Sequence, residues 1–178
     1  TNPMAFGWPR PGKSPMVFNQ ASSALARGEI MIAARDGHDV PPGTGIDSEG
    51  RETTDPNAIL EGGAQLPFGG YKGASIAMMV ELLAGALIGD KFSFEALAAD
   101  SGDGGPPGGG ELILAIDPSR MGDAEGWAAH AELLFDQILS GEGVRLPAGR
   151  RHANRLKTAT EGAAIPATLH QEILALCV

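Results

Sequence analysis

The chain has 178 residues with 13 Lys and Arg against 22 Asp and Glu, a formal net charge of -9, which predicts one domain or slightly more. A hydrophobic fraction of 43% with Gly and Pro at about 22% excludes intrinsic disorder, the single Cys177 excludes a disulfide framework or a cysteine-cluster zinc site, and no apolar stretch nears the ~18 residues of a membrane span. Nucleic-acid binding needs clustered positive charge, so the expectation is a soluble, acidic, cytoplasmic protein with neither a membrane nor a nucleic acid as partner.

Thr1-Asn2-Pro3 opens the chain on a compact turn motif instead of a dispensable tail, and reads as a cut edge, either begun mid-protein or cleaved before Thr1. A rival reading takes Thr1 as an N-terminal nucleophile of a hydrolase, its free amine serving as base. Pro9, Pro11 and Pro15 suit edge strand and turn better than helix. Residues 15–18 read as a short buried strand running into polar residues 19–23, of the kind that caps a helix. The helix is predicted over residues 21–35, with Gly28 weakening its middle. Residues 37–57 are expected to be loop, with a turn at Asp47-Ser48-Glu49-Gly50.

Ile76, Met79, Val80, Leu83 and Leu87 recur at helical spacing and predict a helix from about Ser75 to Ile88, closed by Gly89. The Gly/Pro run of residues 100–110 reads as a surface loop, and 111–117 (ELILAID) as a short apolar strand. Trp127, Ala131, Leu134, Phe135, Ile138 and Leu139 mark an amphipathic helix ending at Gly141. A basic helix is expected over 150–157 and a last one over 167–177, with Leu169, Ile173 and Leu176 inward. Alternating strands and helices place the chain among α/β layered proteins. The Gly-x-Gly-x-x-Gly fingerprint of the Rossmann fold is absent.

Two features have a physical case for chemistry. The Gly-rich turn Gly69-Gly70-Tyr71-Lys72-Gly73-Ala74-Ser75 delivers backbone N–H groups at the positive end of the following helix, with the Lys72 charge beside it. The same pattern serves a tight strand-to-helix turn carrying a solvated lysine. Arg145, Arg150, Arg151, Arg155 and Lys157 supply five of the 13 cations within residues 145–157, a fork-rich cluster suited to a phosphate monoester. A solvated helix paired with surface acids is the commoner origin of such a cluster. His38, His130 and His170 stand apart, with no pair at metal-ligand spacing, so no metal is expected. Glu29 is placed to orient a catalytic base or to be a solvated helix carboxylate, and Ser22 and Ser23 lack the Gly-x-Ser-x-Gly elbow of a hydrolase.

Thr1-Asn2-Pro3-Met4-Ala5-Phe6, Val17-Phe18-Asn19-Gln20-Ala21-Ser22-Ser23 and Leu66-Pro67-Phe68-Gly69-Gly70-Tyr71-Lys72-Gly73 resemble successive motifs of the malate/L-lactate dehydrogenase family that is unrelated to the Rossmann dehydrogenases. Arg145-Leu146-Pro147-Ala148-Gly149-Arg150-Arg151 resembles its late cofactor loop. Within that family the likeness is strongest to the bacterial reductases of Δ1-piperideine-2-carboxylate and Δ1-pyrroline-2-carboxylate. These use NADPH to make L-pipecolate and L-proline, and a sister reading is a 2-hydroxy acid dehydrogenase.

The resemblance implies a mixed, largely antiparallel sheet flanked by helices, not a Rossmann fold, in a homodimer. It places Thr1 at a small cyclic imino acid substrate. It also places Asn19, Gln20, Ala21, Tyr71, Lys72 and Arg145, Leu146, Pro147, Ala148, Gly149, Arg150 and Arg151 at NADPH. Glu29 would complete a relay that orients a proton-donating histidine. The family's Ser-His pair precedes this segment, so residues 1–140 are expected to be the later part of a cofactor-binding domain. Residues 141–178 are expected to form a helical segment packed on the missing N-terminal part. Asn19 stands where the family carries Asp, and Glu29 is one methylene longer than the family's Asp.

Overall fold

The computed structural model describes residues 2–101 and 108–177; Thr1, residues 102–107 of the expected Gly/Pro loop, and Val178 lie outside the described residues. Strands β1 (Met4–Trp8) and β2 (Met16–Gln20) pair in a two-stranded sheet. The prolines between them cannot donate to a ladder, and Gly12 takes φ 71° where the chain turns. β2 is longer than the expected 15–18 strand and is half-buried at its start and exposed at its end, so the apolar run does not mark a buried strand. The chain divides into two compact units.

The first unit takes the chain up to Phe6 and then Asn19–Ile116. Its core is Ile30, Ala33, Val40 and Ile59, with Leu25 and Leu60 packed against it. Helix α1 (Arg27–Asp36) starts later than residue 21. The reason lies in the backbone: Phe68 N–H donates to the Ser22 carbonyl at 3.0 Å and Ala24 N–H to the Leu66 carbonyl at 2.8 Å. Residues 22–24 are thus committed to a bridge with 66–68 before any helix can form, and Gly28 falls in the first turn, where its cost is smaller. Gly37 closes α1 in the left-handed conformation.

Residues 37–57 are not the plain loop expected. β3 (Gly45–Ile46) pairs antiparallel with both β4 (Glu52–Thr53) and β5 (Ala64–Gln65), in the order β4-β3-β5. Asp47 makes the expected turn, its Oδ1 accepting from the N–H groups of Glu49 at 2.9 Å and Arg51 at 3.0 Å. Helix α2 (Pro56–Leu60) carries Pro at its first position and Asp55 as its cap, with Asn57 N–H donating to Asp55 at 2.9 Å. A Cβ at Gly45 would lie 2.7 Å from Ile59 Cδ1, so β3 and α2 approach this closely only through a glycine.

Helix α3 (Tyr71–Glu81) begins four residues before the expected start and runs into a π-helical turn over Leu82–Ala86. Of the predicted stripe, Ile76, Val80 and Leu83 are half-buried while Met79 and Leu87 are exposed. Helix α4 (Ser93–Ala98) follows. The strand expected over 111–117 is absent: those residues pair with no strand among the described residues, and Ile113 and Leu114 are 82% and 78% exposed. An apolar β-prone run becomes a strand only where a neighbour supplies the ladder.

The second unit joins Gly7–Phe18 to the chain from Asp117 onward. The boundary expected between residues 140 and 141 falls inside it. A 3₁₀ turn over Pro118–Arg120 is capped by Asp117. Helix α5 (Trp127–Leu139) forms where the apolar spacing predicts it, with Phe135 buried, Trp127 and Ala131 half-buried and Trp8 edge-on to Trp127 at 5.5 Å, but Leu134, Ile138 and Leu139 of the expected face are exposed. Helix α6 (Gly149–Glu161) is longer than the expected basic helix, and α7 (Ala167–Ala175) is the last. Leu169 is half-buried, but Ile173 and Leu176 are exposed instead of inward, because no apolar surface among the described residues covers them. The architecture is mixed α/β with small antiparallel sheets.

Candidate cofactor site

In the first unit, the bridge that delays α1 directly follows Asn19, Gln20 and Ala21. Ser23 pairs with Pro67, and the next residues of that second strand are the Gly-rich turn. Gly69 and Gly70 take φ 57° and 61°, which reverses the chain into α3 at Tyr71. Gly73 is buried in the first turn of α3: a Cβ there would lie 2.5 Å from the Phe68 oxygen and 2.8 Å from the Ser22 oxygen. The absent side chain lets the helix start sit against residues 22 and 68. Ser22, the residue after Ala21, is thereby brought against the α3 N-terminus, where Tyr71 and Lys72 are both exposed. The positive end of the helix and the Lys72 ammonium favour an anionic group here.

Sequence reasoning missed a polar cluster in the same unit. Asn2, at φ 37°, donates from Nδ2 to the Ala77 carbonyl and to Glu81 Oε1, both at 2.9 Å. Ser93 N–H donates to Glu81 Oε2 at 3.0 Å, and Ser93 Oγ touches Asn2 Oδ1 at 2.8 Å and Glu81 Oε1. Burial pushes the Glu81 carboxyl up, but the Ser93 hydroxyl and N–H and the Asn2 amide together hold it below its ordinary value. This fixes the residue next to Thr1, itself outside the described residues. The sequence signal was an Asn, which tolerates positive φ better than most residues.

Glu29 sits in the first turn of α1 with its side chain exposed. Ser22 is buried, and Ser23 donates its hydroxyl to the Leu25 carbonyl at 2.8 Å. His38 lies with Nδ1 3.1 Å from the Asp39 carbonyl, and His130 and His170 are exposed on α5 and α7. Among the described residues no three His, Cys, Asp or Glu side chains gather to hold a metal ion.

In the second unit, a cleft of about 700 Å³ is lined by Gly143, Arg145, Leu146, Pro147, Ala148, Arg150, Arg151 and Asn154. The predicted run 145–151 therefore lines it except at Gly149. Leu146 is buried and anchors the run, and Ala148 adopts φ 64° as the residue that caps α6. A non-glycine residue in that conformation is strained, and such strain clusters at ligand sites. Three guanidinium groups and no carboxylate line the cleft, a donor set suited to a phosphate. His152, one position beyond Arg151, has Nε2 3.0 Å from the Pro15 carbonyl. This bond is not legible in the sequence, because it joins residues 137 positions apart.

A family model described as malate/L-lactate dehydrogenase matches residues 1–174. The chain is 53% identical over 178 residues to the Delta(1)-pyrroline-2-carboxylate/Delta(1)-piperideine-2-carboxylate reductase of Pseudomonas aeruginosa, covering 99% of this chain and 53% of the relative. The (2R)-3-sulfolactate dehydrogenase (NADP(+)) of Chromohalobacter salexigens is 43% identical over 178 residues, covering 100% of this chain and 52% of its own. Among solved structures, delta1-piperideine-2-carboxylate reductase from Pseudomonas syringae superposes with a TM-score of 0.87 at 42% identity, covering 98% of this chain and 52% of that one. The chain thus spans about half the length of the curated relatives it matches.

Proposed function

Because the chain belongs to the malate/L-lactate dehydrogenase family, we propose that it is the C-terminal half of an NADPH-dependent reductase of cyclic imino acids. The reactions are Δ1-piperideine-2-carboxylate to L-pipecolate and Δ1-pyrroline-2-carboxylate to L-proline, in the cytoplasm. The observation that carries this reading is the 53% identity, sustained across the chain, to a reductase named for both substrates. The family's sheet would be a mixed, non-Rossmann one flanked by helices. Membership also displaces the hydrolase reading of Thr1, since the matched relatives are reductases and dehydrogenases.

The residues present fit a phosphate-bearing nicotinamide cofactor: a cleft whose charged lining residues, Arg145, Arg150 and Arg151, are all cationic, and a glycine-permitted helix start at Tyr71 and Lys72. When bound, NADPH supplies the hydride that reduces the C=N carbon. Asn19, Gln20, Ala21, Tyr71 and Lys72 in the first unit, and separately the 145–151 run in the second, are the residues that the family resemblance assigns to the cofactor. Asn19 lacks the charge of the family's Asp. Thr1 binds substrate. Glu29 accepts a hydrogen bond from a histidine supplied by the rest of the protein and so orients the donor that protonates the imine nitrogen.

Ile113 and Leu114 in the first unit, and Leu174 and Leu176 on α7, expose apolar side chains that the N-terminal half and a second copy of a homodimer would cover. Residues 141–178 are the part assigned to pack on that half. The sulfolactate relative favours one second reading, a 2-hydroxy acid dehydrogenase. Side-by-side assays of the full-length enzyme with cyclic imino acids and with pyruvate decide between them. Equal or better turnover of pyruvate would overturn the imine assignment.

A further inference from the structure

Helix α6 presents the cationic cleft, yet none of its residues is buried. Leu146 anchors the chain just before it. Within the helix, His152 reaches a distant part of the chain, its Nε2 3.0 Å from the carbonyl of Pro15 across 137 positions of sequence. Pro15 has a ring-fixed φ, and the loop before it is tied to α5 by Glu132. Arg10 donates to that carboxylate from Nε and Nη2 and Lys13 donates from Nζ, each at 2.6 Å. A turn bond from Lys13 N–H to the Arg10 carbonyl at 3.0 Å closes the loop on itself.

The loop of residues 10–15 is therefore a bracket with one end on α5 and the other on the first turn of α6. We infer that His152 is a positioning residue for recognition of the 2′-phosphate of NADPH. By donating from Nε2 to the Pro15 carbonyl it fixes the helix turn that carries Arg150 and Arg151 into the cleft. The inference rests on the proposed NADPH site. It adds that the selectivity of that site is set by a side chain outside the cleft lining, through a loop outside the matched cofactor motifs.

The chemistry singles out an atom. Glutamine places its amide nitrogen about where Nε2 of histidine lies and can donate to the same carbonyl, whereas asparagine reaches only to the Nδ1 position. The test uses the full-length protein and its His152→Ala, His152→Gln and His152→Asn variants, with Arg150→Ala as reference. Dissociation constants for NADPH and NADH are measured by calorimetry and thermal midpoints are recorded alongside. The expected result is NADPH affinity reduced tenfold or more in H152A and H152N, NADH affinity changed less than threefold, and H152Q within threefold of the unaltered protein.

Equal losses for both cofactors, no loss in H152A and H152N, or an H152Q as weak as H152N would overturn the inference while R150A still reports on the cofactor site. An unaltered protein that binds NADPH no better than NADH would overturn the cofactor reading itself, and the inference with it. Should H152A fail to fold, the contrast between H152Q and H152N decides.

Discussion

Arg10 grips Glu132 with two nitrogens at once: Nε and Nη2 each lie 2.6 Å from a different carboxylate oxygen. The guanidinium also lies over the Phe135 ring, 4.7 Å from its centre, and the Arg10 side chain is only 11% exposed. This fork is the planar bidentate geometry that lysine cannot reproduce. Hydrogen bonds from Arg10, then from Lys13, hold the Glu132 carboxyl down to about 2.

A depressed carboxyl stabilises the folded state fully above its unfolded pKa, and that contribution is lost as pH falls toward the folded value. Urea unfolding of the protein should therefore show declining stability from about pH 4.5 down to pH 2. In Glu132→Gln the starting stability should be lower and this part of the acid dependence flatter. An unchanged acid slope in the variant would assign the acid sensitivity to other carboxyls, of which Glu81, lowered by its Ser93 and Asn2 partners, is the next candidate.

Gly73→Ala tests the close approach that builds the first half of the site. A Cβ at Gly73 meets the backbone N of Phe68 at 2.7 Å and the Phe68 and Ser22 oxygens, none of which is the flexible end of a side chain. Overpacking against backbone costs about 1–3 kcal/mol. The expected outcome is a destabilisation of that size with weakened cofactor binding. The opposite result, the small gain that a helical Gly→Ala change brings in open space, would mean that the α3 start can move away from residues 22 and 68.

Legibility followed the range of the interaction that decides each element. α5 was readable because one face of apolar residues at helical spacing is enough to specify it, and the Asp47 turn because its hydrogen bonds close within four residues. α1 starts later than its sequence suggests because residues 22–24 are claimed by 66–68, a partnership no local pattern announces. α2 carries a local signal, an Asp55 cap before a Pro at the first helical position, inside a segment whose composition reads as loop. Residues 111–117 have the composition of a strand and lack a partner for one. At the candidate site the residue types are read from the motifs. What arranges them is not: Gly73 against backbone, Asn2 on Glu81, and His152 on Pro15 are all long-range facts.

Ile30 is the fully buried centre of the first unit, packed with Ala33, Val40 and Ile59. Ile30→Ala leaves a cavity that the surrounding helices fill only in part, and should cost about 2–5 kcal/mol by urea titration. Ile113→Ala removes the same atoms from a side chain that is 82% exposed, and should change stability of this chain by less than about 0.5 kcal/mol. Similar losses for the two variants would show that the 111–117 segment is covered in solution, by self-association of the chain.

The cationic cleft makes the sharpest claim on function. Arg150 and Arg151 open α6, and with Arg145 they give the cleft three guanidinium groups and no carboxylate. A hydrogen bond to a charged group is worth about 1.5–3 kcal/mol, and every 1.4 kcal/mol is about tenfold in affinity. Replacing Arg150 and Arg151 together by Ala should weaken NADPH by about 10- to 100-fold. NADH, which lacks the 2′-phosphate, should lose little, so the preference between the cofactors collapses. Binding titrations of both cofactors to the full-length protein measure this directly. Equal losses would place the arginines at the pyrophosphate that both cofactors share, and the preference for NADPH would then have to come from elsewhere in the site.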